Sequence, residues 1–208
     1  QSGLGALFQG TQKQMLQGSP IMTGGALDLN ISGRGFFVLS PKVGSEPRFT
    51  RDGSMGLDAF GNLITTDGFN IAGYKRDEID GIIKTTAEPI NIPLSITNNE
   101  GRTVTLTAIG VDPEGNIETT YGLNNIIARG QIALAKFSNE SALKSVGANT
   151  YKATQKSGEQ ILGAGLEGNF GEVISGALES SNTNISNEMV SLLKTQQAFN
   201  GNARILQT

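Results

Sequence analysis

The spacing of apolar residues changes period along this chain and divides it into a strand-forming body and a terminal helix. From Ala26 the period is close to two. Leu27, Leu29 and Ile31 alternate with Asp28 and Asn30, the pattern of a half-buried strand. Gly33-Arg34-Gly35 turns the chain into Phe36-Phe37-Val38-Leu39, and Phe49-Thr50-Arg51-Asp52-Gly53-Ser54 follows. Ala59-Phe60-Gly61-Asn62 reads as a tight turn, and Asp67-Gly68 leads into the run ending at Tyr74. Turn signals roughly every 8–12 residues predict an all-β meander. Residues 75–100 are less regular, with Pro89 and Pro93 confining any pairing to edges. A second β set begins at Thr103-Val104-Thr105-Leu106-Thr107, turns at Asp112-Pro113-Glu114-Gly115, and continues through Ile126 to Phe137. A short helix is predicted over 140–146, stopped by Gly147. Residues 1–25 read as a polar connector with a short cluster at Leu4, Leu7 and Phe8, and 155–180 as a Gly- and Ser-rich connection. No fixed-period internal repeat is read from the sequence.

The pattern then switches to helical. Ile185, Met189, Leu192, Gln196, Phe199, Ala203 and Leu206 follow one another in steps of four and three, a heptad seam with one polar member. Asn184 or Ser186 offers an N-cap oxygen, and Glu188 complements the dipole of the first turn. Such a stripe either docks on its own domain or packs against a partner helix; the spacing fits both. The candidate self-assembly residues are Ile185, Met189, Leu192, Phe199, Ala203 and Leu206.

Composition narrows the chemistry. The chain of 208 residues has no His and no Cys, which removes the usual general base, the commonest metal ligand and every Ser-His or Cys-His pair. Carboxylate, Lys or Tyr chemistry alone would remain, and no catalytic, cofactor-binding or metal residue is assigned. Net charge is −3, without any block of like charge, so neither nucleic acid nor an anionic membrane surface is an expected partner. No run approaches the roughly 18 apolar residues of a membrane span. The 28 glycines and the 6% aromatic content suit a turn-rich β protein. Because the chain lacks an initiating Met and its helical pattern runs on to Thr208, native termini beyond both ends are expected.

Candidate sites in the body have plain readings. Arg34, Arg51 and Asp52 are read as turn and rim charges, and Gly33 with Gly35 lacks the third Gly of a dinucleotide fingerprint. Asp112, Glu114 and Asn116 form a β-turn rather than a calcium loop, since Pro113 interrupts them and no later Glu is correctly spaced. Phe36, Phe37, Phe49, Phe60, Phe69 and Phe137 are assigned to the core.

Four ordered segments resemble the axial proteins of the bacterial flagellum, the hook and rod subunits. They are Ala26 through Gly33-Arg34-Gly35-Phe36-Phe37-Val38; Phe49-Thr50-Arg51-Asp52-Gly53-Ser54-Met55 with Gly61-Asn62-Leu63-Ile64; Gly130-Gln131-Ile132-Ala133-Leu134-Ala135 with Gly147-Ala148-Asn149-Thr150-Tyr151; and Gly176-Ala177-Leu178-Glu179 leading to Gln196-Gln197-Ala198-Phe199. Asp52, Met55 and Gln197 depart from the family's commonest residues. The resemblance implies a mainly β fold: a Gly-rich β domain of the flagellar hook/rod type over 26–180, a short central insertion at 75–129, and an amphipathic C-terminal helix over 181–208. It implies a structural subunit that is exported through the flagellar channel, lies in the hook or basal body, and self-assembles as a helical homo-oligomer beside other axial proteins, with no cofactor. The short insertion is rod-like, whereas Gly68 to Tyr74 is more hook-like. A secreted β-rich adhesin or carbohydrate-binding module is the alternative.

Overall fold

A computed structural model describes residues 17–40, 46–77, 81–97, 101–123, 125–181 and 185–205. Its strands, numbered in chain order, are short and antiparallel, because Gly and Asx turns interrupt nearly every apolar run. One six-stranded sheet runs in the order β8 (Gly81–Pro89), β7 (Ala72–Asp77), β12 (Asn125–Ile132), β11 (Asn116–Tyr121), β10 (Thr103–Val111) and β9 (Ser95–Thr97). The other has the order β14 (Lys144–Ser145), β15 (Thr150–Lys152), β4 (Arg48–Thr50), β3 (Phe36–Leu39), β13 (Leu134–Lys136) and β16 (Ile161–Gly163). Three two-stranded ribbons complete the body. They pair β17 (Glu172–Ser175) with β2 (Leu29–Ser32), β5 (Met55–Leu57) with β6 (Leu63–Thr65), and β1 (Pro20–Met22) with β18 (Ala177–Glu179).

β3 is buried at all four positions because it separates two cores. Phe37 and Leu39 face a cluster with Leu29, Ile31, Leu63, Ile71, Ile117 and Ile132. Phe36 and Val38 face the other, with Phe49, Tyr74 and Phe137. There Phe49 meets Phe137 edge to face at 4.8 Å, and Phe36 meets Phe137 at 6.1 Å. Edge-to-face contacts of this kind add to the burial term.

The body differs from the sequence expectations at several places. Instead of a helix over 140–146 there is a 3-10 turn, Glu140–Ala142, followed by β14, whose Lys144 and Ser145 pair with β15. Sheet pairing and burial of Leu143 outweigh a weak local helix signal. Residues 75–100 include the nine-residue β8, with Pro89 closing the outermost strand of its sheet. Residues 155–180, read as a connection, supply β16, β17 and β18, and the connector read over 1–25 supplies β1.

Phe36, Phe37, Phe49 and Phe137 are buried and Phe69 is half-buried, but Phe60 is 82% exposed.

The fold also contains a duplicated unit, which the reading of no fixed-period repeat left unseen. Gly56-x-Asp58-x-x-Gly61-Asn62-x-x-Thr65-Thr66-x-Gly68 recurs as Gly110-x-Asp112-x-x-Gly115-Asn116-x-x-Thr119-Thr120-x-Gly122. The registers match, with Leu57 opposite Leu63 and Val111 opposite Ile117. In both turns the Asp carboxylate accepts the Asn backbone N–H and the Asn side-chain amide, each at 2.8 Å. Gly61 (φ +81) and Gly115 (φ +84) take the left-handed conformation that closes such a turn. A third strand joins each hairpin alike: Ile92 N donates to Gly61 O at 2.6 Å and Ile132 N to Gly115 O at 2.8 Å. Two copies separated by unrelated chain lack the regular period that a repeat search looks for.

Candidate assembly surface

The terminal segments enter and leave the body side by side as β1 and β18, with an ion pair at their join. Arg51 Nε donates to Glu179 Oε2 at 2.9 Å, while its Nη atoms donate to the carbonyls of Ile31, Gly33 and Gly35 at 3.0–3.2 Å. Its guanidinium also lies 5.7 Å from the Phe36 ring centroid. Glu179 Oε1 accepts the Gly18 N–H at 2.8 Å, and Ser180 N donates to Ser19 O at 2.9 Å. Gln17 completes the join, donating to Ile31 O and accepting from Gly33 N. The fork of an arginine suits this array of acceptors. Arg51 was expected at the rim but has a side chain only 19% exposed, drawn inward by carbonyls that lie on a different turn. Arg34 does lie in a turn, half outside, 3.1 Å from Glu140, and Asp52 Oδ1 caps Ser54 N. Asp112 and Asn116 form the expected turn.

Directly beyond β18 and a short link stands helix α1 (Ile185–Ile205). Every residue from 189 to 200 is exposed, so this stretch does not dock on the body. Met189, Leu192 and Phe199, all on the heptad seam, are 63%, 59% and 73% exposed. Ile185 and Ala203 occupy helical positions in step with them, while Leu206 and Asn184 lie outside the described residues. Val190 and Leu193 are exposed too and widen the stripe; their signal was an apolar residue immediately after a seam position. Nothing in the spacing pointed to Arg51 and Glu179, which meet across 128 positions.

Among the described residues, no three Asp or Glu side chains come together as a metal site, and no helix is long and apolar enough to cross a membrane. A cleft of about 570 Å³ between 25–28 and β10 is lined by Gly25, Leu27, Met55 and Ile109 among others. The Asp28 carboxylate in it accepts the Thr23 hydroxyl at 2.6 Å.

The described residues thus form a Gly-rich β body with an exposed amphipathic helix at its C-terminal side. Residues 30–132 match the family described as flagellar hook protein FlgE/F/G D1 domain, and residues 174–208 match flagellar basal body rod FlgEFG protein C-terminal. Over 210 residues the chain is 33% identical to the flagellar basal-body rod protein FlgG of Buchnera aphidicola, covering all of this chain and 70% of that one. It is 31% identical to FlgG of Agrobacterium fabrum over 206 residues, covering 99% of this chain and 69% of that protein. Identity to the flagellar hook protein FlgE of Escherichia coli is 30% over 170 residues, 80% of this chain and 42% of that protein. The chain belongs to the flagellar hook and basal-body rod protein family, whose members are structural subunits of the bacterial flagellum. None of these relatives is an adhesin or a carbohydrate-binding module, and the family replaces that alternative.

Proposed function

We propose that this chain is a rod-type subunit that polymerises into a hollow helical tube through its terminal helices. The supporting observation is the apolar stripe of α1, which stays in water from 189 to 200. An exposed stripe of this size is costly to an isolated chain and is covered when subunits meet. Ile185, Met189, Leu192, Phe199, Ala203 and Leu206 form the seam, flanked by Val190 and Leu193, in the manner of a coiled coil. Rod rather than hook is favoured by extent: the Buchnera FlgG is matched over 70% of its length, the E. coli FlgE over 42%. Export through the flagellar channel, contact with other axial proteins and the absence of a catalytic role belong to the same reading.

The test is self-association, by light scattering and electron microscopy, of the protein with its native termini, beside Leu192→Asp and Phe199→Asp. Tubes or sheets from the parent and none from the variants, with the β-sheet circular dichroism unchanged, support the assignment. A parent that stays monomeric at high concentration across salt conditions overturns it.

A further inference from the structure

Asn30 sits within β2 with its side chain fully buried. Among the described residues, neither the nitrogen nor the oxygen of its amide has a hydrogen-bond partner. The other buried polar side chains, Thr50, Thr65, Thr119, Gln131, Thr150 and Ser157, each make at least one such bond. A buried amide without a partner carries the full cost of leaving water. Groups of this kind are where a fold stores strain.

The neighbours of β2 show what covers the amide. Leu29 and Ile31 point into the first core, so Asn30, between them, points the opposite way. Both edges of β2 are taken. β17 pairs along one, and Gly53 O and Ser54 meet Leu29 and Asp28 along the other. β18 therefore packs on β2 across its remaining face, the one that carries Asn30. It starts at Ala177, whose N–H donates to Asp28 O at 3.2 Å. It ends at Glu179, held by Arg51, whose guanidinium also donates to Ile31 O. Among the described residues β1 pairs with β18 alone, and its Ile21 and Met22 are exposed. At the end away from Arg51, the Thr23 and Gly24 N–H groups both donate to Gly176 O. The ribbon is thus a strap fastened at its two ends, with water on one side and an unpaired amide beneath.

We propose that the strap of β1 and β18 lifts from the body as a unit, well short of global unfolding, and that Asn30 sets how readily it does so. Lifting hydrates the Asn30 amide, which offsets part of what the strand pairing and the Arg51–Glu179 clamp contribute to the closed form. An apolar residue of the same branching at position 30 would hold the strap down. Because β18 leads to α1, each opening also loosens the tie between the body and the helix. The device belongs to the single subunit and is independent of the polymer reading.

Native-state hydrogen exchange of the unassembled protein, followed by NMR, tests the strap. The Thr23 and Ser180 amides, which donate to Gly176 O and Ser19 O, report on it, and the amides of β3 report on the whole body. In the parent the two strap amides should share one opening free energy and exchange at least about tenfold faster than β3. Asn30→Leu keeps the branching and removes the polar atoms, and should slow both strap amides about tenfold, the scale of one unpaired buried group. Asn30→Val, one atom smaller, keeps the test intact if Leu is too large for the site. Slowing in either variant supports the proposal. Strap amides that are as slow as β3 in the parent, or that open one by one, overturn the separate lifting. Strap exchange at or above the parent rate in both variants means that the amide is satisfied in the closed form, and overturns the role of Asn30.

Discussion

Arg51 ties its own segment to residues 31–35 and to Glu179 through four hydrogen bonds from one guanidinium, and its side chain and that of Glu179 are both less than a fifth exposed. Arg51→Ala removes the donor to the Gly33 and Gly35 carbonyls and leaves Ile31 O with Gln17 alone and Glu179 with Gly18 N alone, at an expected cost of about 2–4 kcal/mol, since bonds to charged groups are the stronger ones. Arg51→Lys recovers part of this, because an ammonium cannot span the fork. Urea unfolding followed by circular dichroism checks both; equal stability of Ala and Lys variants would remove the fork from the account. Asp58 makes a pH prediction. The Asn62 side-chain amide, followed by backbone N–H groups, holds its carboxyl below the ordinary value of 3.8. The folded value is depressed, so the contribution is present above the unfolded value and lost as pH falls through the folded one. A carboxyl NMR titration should place the Asp58 midpoint below an ordinary aspartate and move it upward in Asn62→Ala.

At the scale of elements, the duplicated hairpin separates the conformational role of glycine from close packing. Gly61 and Gly68 both have positive φ, +81 and +76. A Cβ on Gly61 would lie 2.1 Å from Ile92 O, whereas Gly68 has open space around it. Gly68→Ala should cost about 1 kcal/mol for the left-handed conformation alone. Gly61→Ala should cost about 3 kcal/mol, the upper end for a strained site, because the incoming third strand must move. Comparison of denaturation midpoints decides it, and equal losses would mean that the third strand yields freely. The hairpin copies were legible in principle from shared Gly, Asp, Asn and Thr positions, yet two copies give no period. The helix over 140–146 failed for another reason: the pairing of Lys144 and Ser145 with β15 is a contact made only in the folded sheet.

For the whole molecule, the body and α1 should behave as regions of very different stability. β3 is buried on both sides, while α1 has no cover from 189 to 200. In hydrogen exchange of the unassembled protein, amides of β3 and β13 should be the slowest and those of α1 should exchange at nearly the rate of an open chain. On assembly the α1 amides should slow by several orders of magnitude. Protection of α1 already present in the monomer would mean that the helix is held by its own subunit.

The alternation of apolar residues and the heptad steps by themselves determined a mainly β body and an amphipathic C-terminal helix, because both periods are local geometry written into every few residues. The four ordered segments carried the family for the same reason, as strings of neighbouring residues. Only the tertiary structure decided that Arg51 is a largely buried clamp, that Phe60 faces water, and that β16, β17 and β18 lie within 161–179. Those outcomes depend on chain segments that are distant in sequence, up to 128 positions apart for Arg51 and Glu179. The burial and bonding of each residue there are set by neighbours that the spacing of its own segment does not name.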